Sequence, residues 1–194
     1  GPNEGDMACG EFGFGRMAEV DEILKEIEIH FSNKKLKGRH FVVTSGPTRE
    51  PIDPVRFIGN RSSGLQGAAI AEELIENGAE VTFVTGPVDL DPPVGSQVVR
   101  VETADEMYNA VHSSLPADAA FFVAAVADWK IKETVKQKLK KQAGNLPAFD
   151  LIENKDILAS VSKLKKNRPK VVIGFAAETE NILENAKSKL KNKG

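Results

Sequence analysis

From His40 onward, short apolar β-rich runs alternate with helical patterns, and this alternation restricts the fold more than any other property of the chain. The runs at 41–44, 81–85, 98–101, 119–124 and 171–174 predict strands. The stretches 63–77, 103–114, 155–165 and 178–191 repeat their apolar residues at helical spacing. Strands that are apolar almost throughout must be covered on both faces, and intervening helices are the connections that parallel strands need. The expected fold class is therefore α/β: a doubly wound, mainly parallel, Rossmann-like sheet with helices on both faces. Thr103-x-x-Glu106 and Ser63-x-x-Gln66 fit capping boxes, and Asn154 fits the N-cap of the helix after it. Glu178 and Glu180 near one end of the last helix, and Lys187, Lys189, Lys191 and Lys193 near the other, suit its dipole.

Ligands of such sheets sit beyond the carboxyl ends of the strands. Those ends are Ser45-Gly46, Thr85-Gly86-Pro87, Ala124-Ala125 and Gly174-Phe175, all built largely from small residues. In the first of them Thr44, Ser45, Ser62 and Ser63 offer hydroxyls, Gly46 and Gly64 allow close backbone approach, and Arg49, Arg56 and Arg61 add charge. The connection from Ser45 to Ser62 exceeds the usual strand-to-helix loop, and its three arginines would repel one another without an anion. It reads as a phosphate or nucleotide cradle at a helix start rather than as a plain loop. Asp128, beside Trp129, is either a buried carboxylate for a ribose, an amine or a metal, or a strand-end acid capping a turn. Lys130, Lys132, Lys136, Lys138, Lys140 and Lys141 lie in a segment without helical or strong strand pattern, expected to form a lysine-rich arm. If it is extended, Lys136, Lys138 and Lys140 point the same way, either to solvent or over an anionic substrate.

Residues 1–17 are glycine-rich without apolar periodicity and predict a mobile tail. Gly13-Phe-Gly15-Arg-Met-Ala18 fits the dinucleotide fingerprint G-x-G-x-x-A but lacks the strand that must precede it. Val20, Ile23, Leu24, Ile27 and Phe31 predict an amphipathic helix, followed by a basic linker at 33–39. The expected organisation is thus 1–18, 19–39 and 40–194. A net charge of −2 supplies no global basic field for nucleic acid. Cys9 is the sole cysteine, no charged-then-apolar leader is apparent, and the longest apolar run, 117–129, is broken by Asp118 and Asp128. The expectations are a cytoplasmic protein with neither membrane nor nucleic acid as partner. His30, His40 and His112 are scattered without metal spacing.

Longer motifs add a family. Residues 44–58 (TSGPTREPIDPVRFI), Asn60-Arg-Ser-Ser-Gly64, Ala124-Ala-Val-Ala-Asp-Trp129, Lys138-Leu-Lys-Lys141, 154–157 and Gly174-Phe-Ala-Ala-Glu-Thr-Glu-Asn181 resemble the phosphopantothenoylcysteine synthetase half of bacterial bifunctional coenzyme A biosynthesis proteins. The stretch from Ala8 to Glu19 resembles the end of the flavin-dependent decarboxylase half, in which Cys9 would match a proton-donating flap cysteine. The resemblance implies ligation of 4′-phosphopantothenate to cysteine through an acyl-cytidylate, with CTP as substrate and Mg²⁺ as its companion ion. FMN would belong only to the decarboxylase half, so decarboxylation is not expected of this chain. By the same resemblance Lys138 would bind the triphosphate and Asn60 would hold the acyl-cytidylate. Gly46, Ser62, Ser63, Gly64, Ala124, Asp128, Lys155, Asp156, Ile157, Phe175, Lys189 and Lys193 would lie on the nucleotide side, with Asp128 a candidate metal ligand. It further implies a homodimer closed by the lysine arm, within a larger bifunctional assembly. Leu65 and Lys155 depart from the family pattern, where lysine and proline are usual, and the chain is expected to stop before the synthetase's last strand. Two alternatives remain open at this point: a Rossmann-type oxidoreductase, and a non-catalytic nucleotide-binding or dimerisation fragment.

Overall fold

The computed structural model describes residues 3–6, 11–31, 34–140, 148–177 and 180–194. The chain forms two compact units, Gly1–Lys35 and Leu36–Gly194. In the first, β1 (Asn3–Asp6) pairs antiparallel with β2 (Phe12–Arg16), followed by α1 (Val20–Phe31). The predicted mobile tail is thus a hairpin in part. Gly13 and Gly15 lie inside β2, so the G-x-G-x-x-A match does not form the strand-to-helix turn that a dinucleotide needs. α1 has the predicted bounds, with Asp21 and Glu22 in its first turn, where the helix dipole favours acids. Cys9 lies outside the described residues.

The second unit is built on a five-stranded parallel sheet. Its strands are β3 (His40–Ser45), β6 (Glu80–Thr85), β7 (Gln97–Arg100), β8 (Ala119–Phe122) and β11 (Val171–Gly174), in the order β11-β8-β3-β6-β7. Alternate side chains of the central strands feed two cores. Val42, Val84, Ala120 and Phe122 pack with Met107 and Val111 of α3 (Ala104–Ser113) and Ile157 and Val161 of α4 (Ile157–Ser162). Phe41, Val43, Val81, Phe83 and Ala119 pack on the opposite face with Ala68 and Ala71 of α2 (Leu65–Glu76). Helices therefore cover both faces, as the apolar strands require. The amino-terminal edge is locked by polar groups: Asp118 accepts hydrogen bonds from the His40 amide (3.0 Å) and Arg39 Nη1 (2.8 Å).

The helix starts differ from expectation in instructive ways. The Thr103–Glu106 capping box forms. The one expected at Ser63 does not, because Gly64 turns left-handed (φ 77°) and becomes an N-cap with no side-chain bond, so α2 starts at Leu65. α4 is capped by Asp156, whose carboxylate accepts from the Ala159 amide at 2.9 Å, and Asn154 takes another role. α5 (Ile182–Lys193) starts after Asn181, and Glu178 lies outside the described residues.

Two short hairpins were not legible from pattern. β4 (Arg49–Pro51) pairs with β5 (Phe57–Gly59), and β9 (Trp129–Ile131) pairs with β10 (Leu151–Glu153) at the two ends of the lysine-bearing segment. The first accounts for the length of the 45–62 connection without any ligand. No described helix is long and apolar enough to cross a membrane.

Met107 is wholly buried between α3 and the sheet. Met107→Ala should cost about 2–5 kcal/mol of unfolding free energy in urea titration. Asp118→Asn should lower Tm at neutral pH. The His40 amide and Arg39, outweighing burial, hold the folded Asp118 carboxyl below its ordinary range. Its stabilisation is then full above about pH 4 and lost as pH falls through the folded value, so the difference from wild type should close on acidification.

Candidate functional site

The carboxyl end of β3 organises the site through hydroxyl groups. Thr44 Oγ1 accepts from the amides of Val123 (3.2 Å) and Ala124 (3.3 Å), and Thr48 Oγ1 accepts from the buried Ala127 amide (2.9 Å). Backbone bonds from Ala125 N to Gly46 O (2.9 Å) and from Thr48 N to Ala125 O (3.2 Å) extend the β3–β8 pairing past the sheet. The loop after β8 is therefore fixed as a wall. Ser45 Oγ donates to Gly64 O (2.9 Å), tying the start of α2 to the same strand. The hydroxyls of Thr44 and Ser45, expected to face an anion, are instead committed to the protein. Gly46 (φ 69°) and Gly64 (φ 77°) both adopt the left-handed region, and a side chain at Gly46 would also press on Gly86 O and Val88.

Beyond this wall lies a crevice of about 820 Å³. It brings together eight expected residues: Ala124, Asp128, Lys155, Asp156, Ile157, Phe175, Lys189 and Lys193. Asn60 and Arg61 line it too, and both also line a neighbouring groove of about 780 Å³ with Arg49, Ser62, Ser63 and Leu65. Asn60 Nδ2 donates to Val126 O (2.9 Å), placing this side chain on the wall between the two spaces. Gly46, Gly64 and Lys138 line neither space.

Most charges of the site have partners. Lys193 Nζ meets Asp156 Oδ2 at 2.9 Å. Burial opposes ionisation of Asp156, but the Ala159 amide and Lys193 outweigh it and hold the carboxyl below its ordinary range. Asp105 pairs with Lys130 and, at 3.7 Å, with Lys155, whose ammonium also stands 4.6 Å from the Tyr108 ring centre. The Lys130 hydrogen bond, outweighing burial, depresses the Asp105 carboxyl. Burial lowers His112, helped by the charge of Lys155. Arg49 lies 4.9 Å over the Phe57 ring, and Arg56 is paired with Asp53, so these two arginines need no anion to coexist.

Asp128 is exposed on the crevice, so the buried-carboxylate alternative for it falls. Among the described residues no group of three His, Cys, Asp or Glu stands at metal distance. Asn154, expected only as a cap, is a residue whose place in the site the sequence did not reveal. Its amide donates to Asp128 O (2.8 Å) and its Nδ2 to Ala127 O (2.9 Å), while its Oδ1 is a buried acceptor without a protein partner. Its position next to Lys155-Asp156 in the motif was the available signal.

Fold and crevice define an α/β protein with a polar ligand site beyond the carboxyl ends of parallel strands. The chain belongs to the family of the DNA/pantothenate metabolism flavoprotein C-terminal domain, which matches residues 36–194. It is 46% identical over 195 residues to the coenzyme A biosynthesis bifunctional protein CoaBC of Haemophilus influenzae, a match that covers 100% of this chain and 48% of that protein. The Escherichia coli K12 protein of the same description is 46% identical over 193 residues, covering 97% and 47% respectively. The chain thus spans about half the length of the curated relatives it matches. A crystal structure of the C-terminal domain of a CoaBC protein superposes with a TM-score of 0.71 at 41% identity, covering 84% of this chain and 76% of that one.

Thr48→Val removes the acceptor of a buried amide while keeping the side chain's shape. It should cost about 1–3 kcal/mol in chemical denaturation. Asp156→Ala should cost about 1 kcal/mol through loss of the cap, a difference that should begin to shrink below about pH 4 and close only as pH falls through the lowered folded value of the carboxyl.

Proposed function

We propose that this chain catalyses the CTP-dependent joining of 4′-phosphopantothenate to cysteine in coenzyme A biosynthesis. The observation that carries the reading is the position of Asn60 and Arg61 on both the crevice and the groove. Two substrates lying in adjoining spaces would meet there, which is what an intermediate joining both of them requires.

In this reading the nucleotide occupies the crevice, with Ala124, Asp156, Ile157 and Phe175 around the nucleoside. Lys155, Lys189 and Lys193 supply charge to its phosphates. Ser62, Ser63 and Gly64 stand at the groove side, at the start of α2. The Leu65 amide donates to Ser63 Oγ (3.4 Å), and the later first-turn amides of α2, with no cap side chain at Gly64, favour an anion. Gly46 acts from behind the site, through the left-handed turn that it allows after β3. The phosphopantothenate carboxylate attacks the α-phosphorus, an O–P bond forms, and pyrophosphate leaves. The cysteine amine then attacks the acyl carbon, C–N bond formation expels CMP, and the ammonium proton passes to solvent. Asn60 holds the mixed anhydride between these steps, and Lys138 neutralises the triphosphate in the first of them.

Asp128 fits Mg²⁺ as a single carboxylate on an open crevice, the arrangement expected where phosphates and water complete the coordination. When bound, that ion screens the triphosphate. Lys138 is not among the residues lining the crevice of its own chain, which supports a homodimer in which a partner's lysine-bearing segment closes each site.

Pyrophosphate release should require CTP, phosphopantothenate and Mg²⁺ together; equal rates with ATP would contradict the nucleotide assignment. Lys138→Ala should abolish acyl-cytidylate formation, and Asn60→Ala should let the acyl-cytidylate accumulate, both read by quenched-flow chromatography. Wild-type rates in both variants would refute the assigned roles. Turnover absent in wild type, with CTP still raising Tm, would favour a nucleotide-binding fragment.

A further inference from the structure

The lysine-bearing segment has no regular structure between Lys132 and Lys140, yet one peptide unit in it is gripped from both sides. Asp53 is buried, with a side chain 0% exposed. Its Oδ1 accepts from the amides of Val55 and Arg56, both at 2.9 Å. Its Oδ2 accepts from Arg56 Nε (3.0 Å) and from the amide of Leu139 (3.1 Å). Arg56 Nη2 bonds the same Oδ2 and also donates to Leu139 O at 2.8 Å. One carboxylate and one guanidinium, both on the tip of the β4–β5 hairpin, thus hold both polar groups of the residue that follows Lys138.

Leu139 also lines a space of about 320 Å³ whose walls mix Ile52, Ile131, Val135 and Phe149 with Lys132, Glu133 and Asp150. The Val135 amide adds a bond to Ile52 O (3.3 Å). The Leu139 peptide is therefore constrained on both its polar groups, and the direction in which Lys138 leaves the chain is constrained with it. Burial resists ionisation of Asp53, but the bonds from Arg56 and the Val55, Leu139 and Arg56 amides hold its carboxyl far below the ordinary range, so it stays a charged acceptor at neutral pH.

We propose that Asp53 and Arg56 are positioning residues that clamp the Leu139 peptide and so fix Lys138 for its work on the triphosphate. This rests on the Lys138 assignment made above. The fork of Arg56 is essential to the arrangement, because one planar guanidinium reaches the carboxylate and the carbonyl together, which a lysine ammonium cannot reproduce.

The test compares Asp53→Asn, Arg56→Lys and Lys138→Ala in this chain by two readouts. Amide hydrogen exchange of 132–140 needs no activity: Asp53→Asn should accelerate exchange at Leu139 by about tenfold or more while β3 and β6 keep their protection. The rate of CTP-dependent pyrophosphate release should fall by about 10–100-fold in Asp53→Asn with the KM for CTP little changed, and should also fall in Arg56→Lys, which keeps the charge but loses the fork. Unchanged exchange at Leu139 overturns the clamp. So does accelerated exchange with an undiminished rate, if Lys138→Ala is inactive. Wild-type activity in Lys138→Ala overturns the Lys138 assignment and with it the catalytic purpose of the clamp, while the exchange result still decides whether the clamp exists.

Discussion

Two threonine hydroxyls turn the end of a sheet into a site. Thr44 and Thr48 satisfy the amides of Val123, Ala124 and Ala127, three donors in a loop that leaves the sheet after Phe122. Such donors must be paired inside the protein or by water, and each left unpaired when buried costs about 1–3 kcal/mol. Because Thr44 belongs to β3, the central strand, and Thr48 to the loop that leaves it, the loop after β8 is tied to the strand register. Asn154 then binds the far end of the loop through Ala127 O and Asp128 O, and Asn60 binds its middle through Val126 O. A crevice wall is thus held by side chains from three separate parts of the sequence.

The charges around that wall are arranged to be borrowed. Lys193 rests on Asp156, and Lys155 rests on Asp105 and the Tyr108 ring. Partly exposed pairs of this kind contribute about 0–1 kcal/mol each, little enough for a multiply charged phosphate ligand to redirect the lysines. The Asp53–Arg56 pair is different in kind, because its carboxylate is buried and five hydrogen bonds converge on it. Pairs at the crevice can yield to a ligand, whereas the pair at the hairpin tip holds the chain in place.

Much of this was legible before any coordinates. The strands, the two-faced sheet and the Thr103 capping box follow from period and propensity, because the apolar runs at 41–44 and 81–85 leave no polar face to expose. What escaped was local: β4, β5, β9 and β10 are too short to show alternation, and the glycine-rich β1 and β2 carry no apolar period. Missing the β4–β5 hairpin made the 45–62 connection look as though it needed a ligand to explain it, and made Arg56 look like an anion contact. Hydroxyl identity carries no direction: Ser45 Oγ turns to Gly64 O, whereas Thr44 lines the crevice while its hydroxyl holds the loop after β8. Asn154 was read as a cap because Asn suits that role, although the next residue but one, Asp156, takes it.

The central claim is that two substrates occupy adjoining spaces that meet at Asn60. Amide chemical-shift mapping with each substrate alone tests it most directly. The account predicts that CTP with Mg²⁺ perturbs 60–61, 124–128, 154–158 and Phe175, that 4′-phosphopantothenate perturbs 57–65 and 87–90, and that the two footprints overlap only at Asn60 and Arg61. Coincident footprints, or displacement of one substrate by the other, would contradict it.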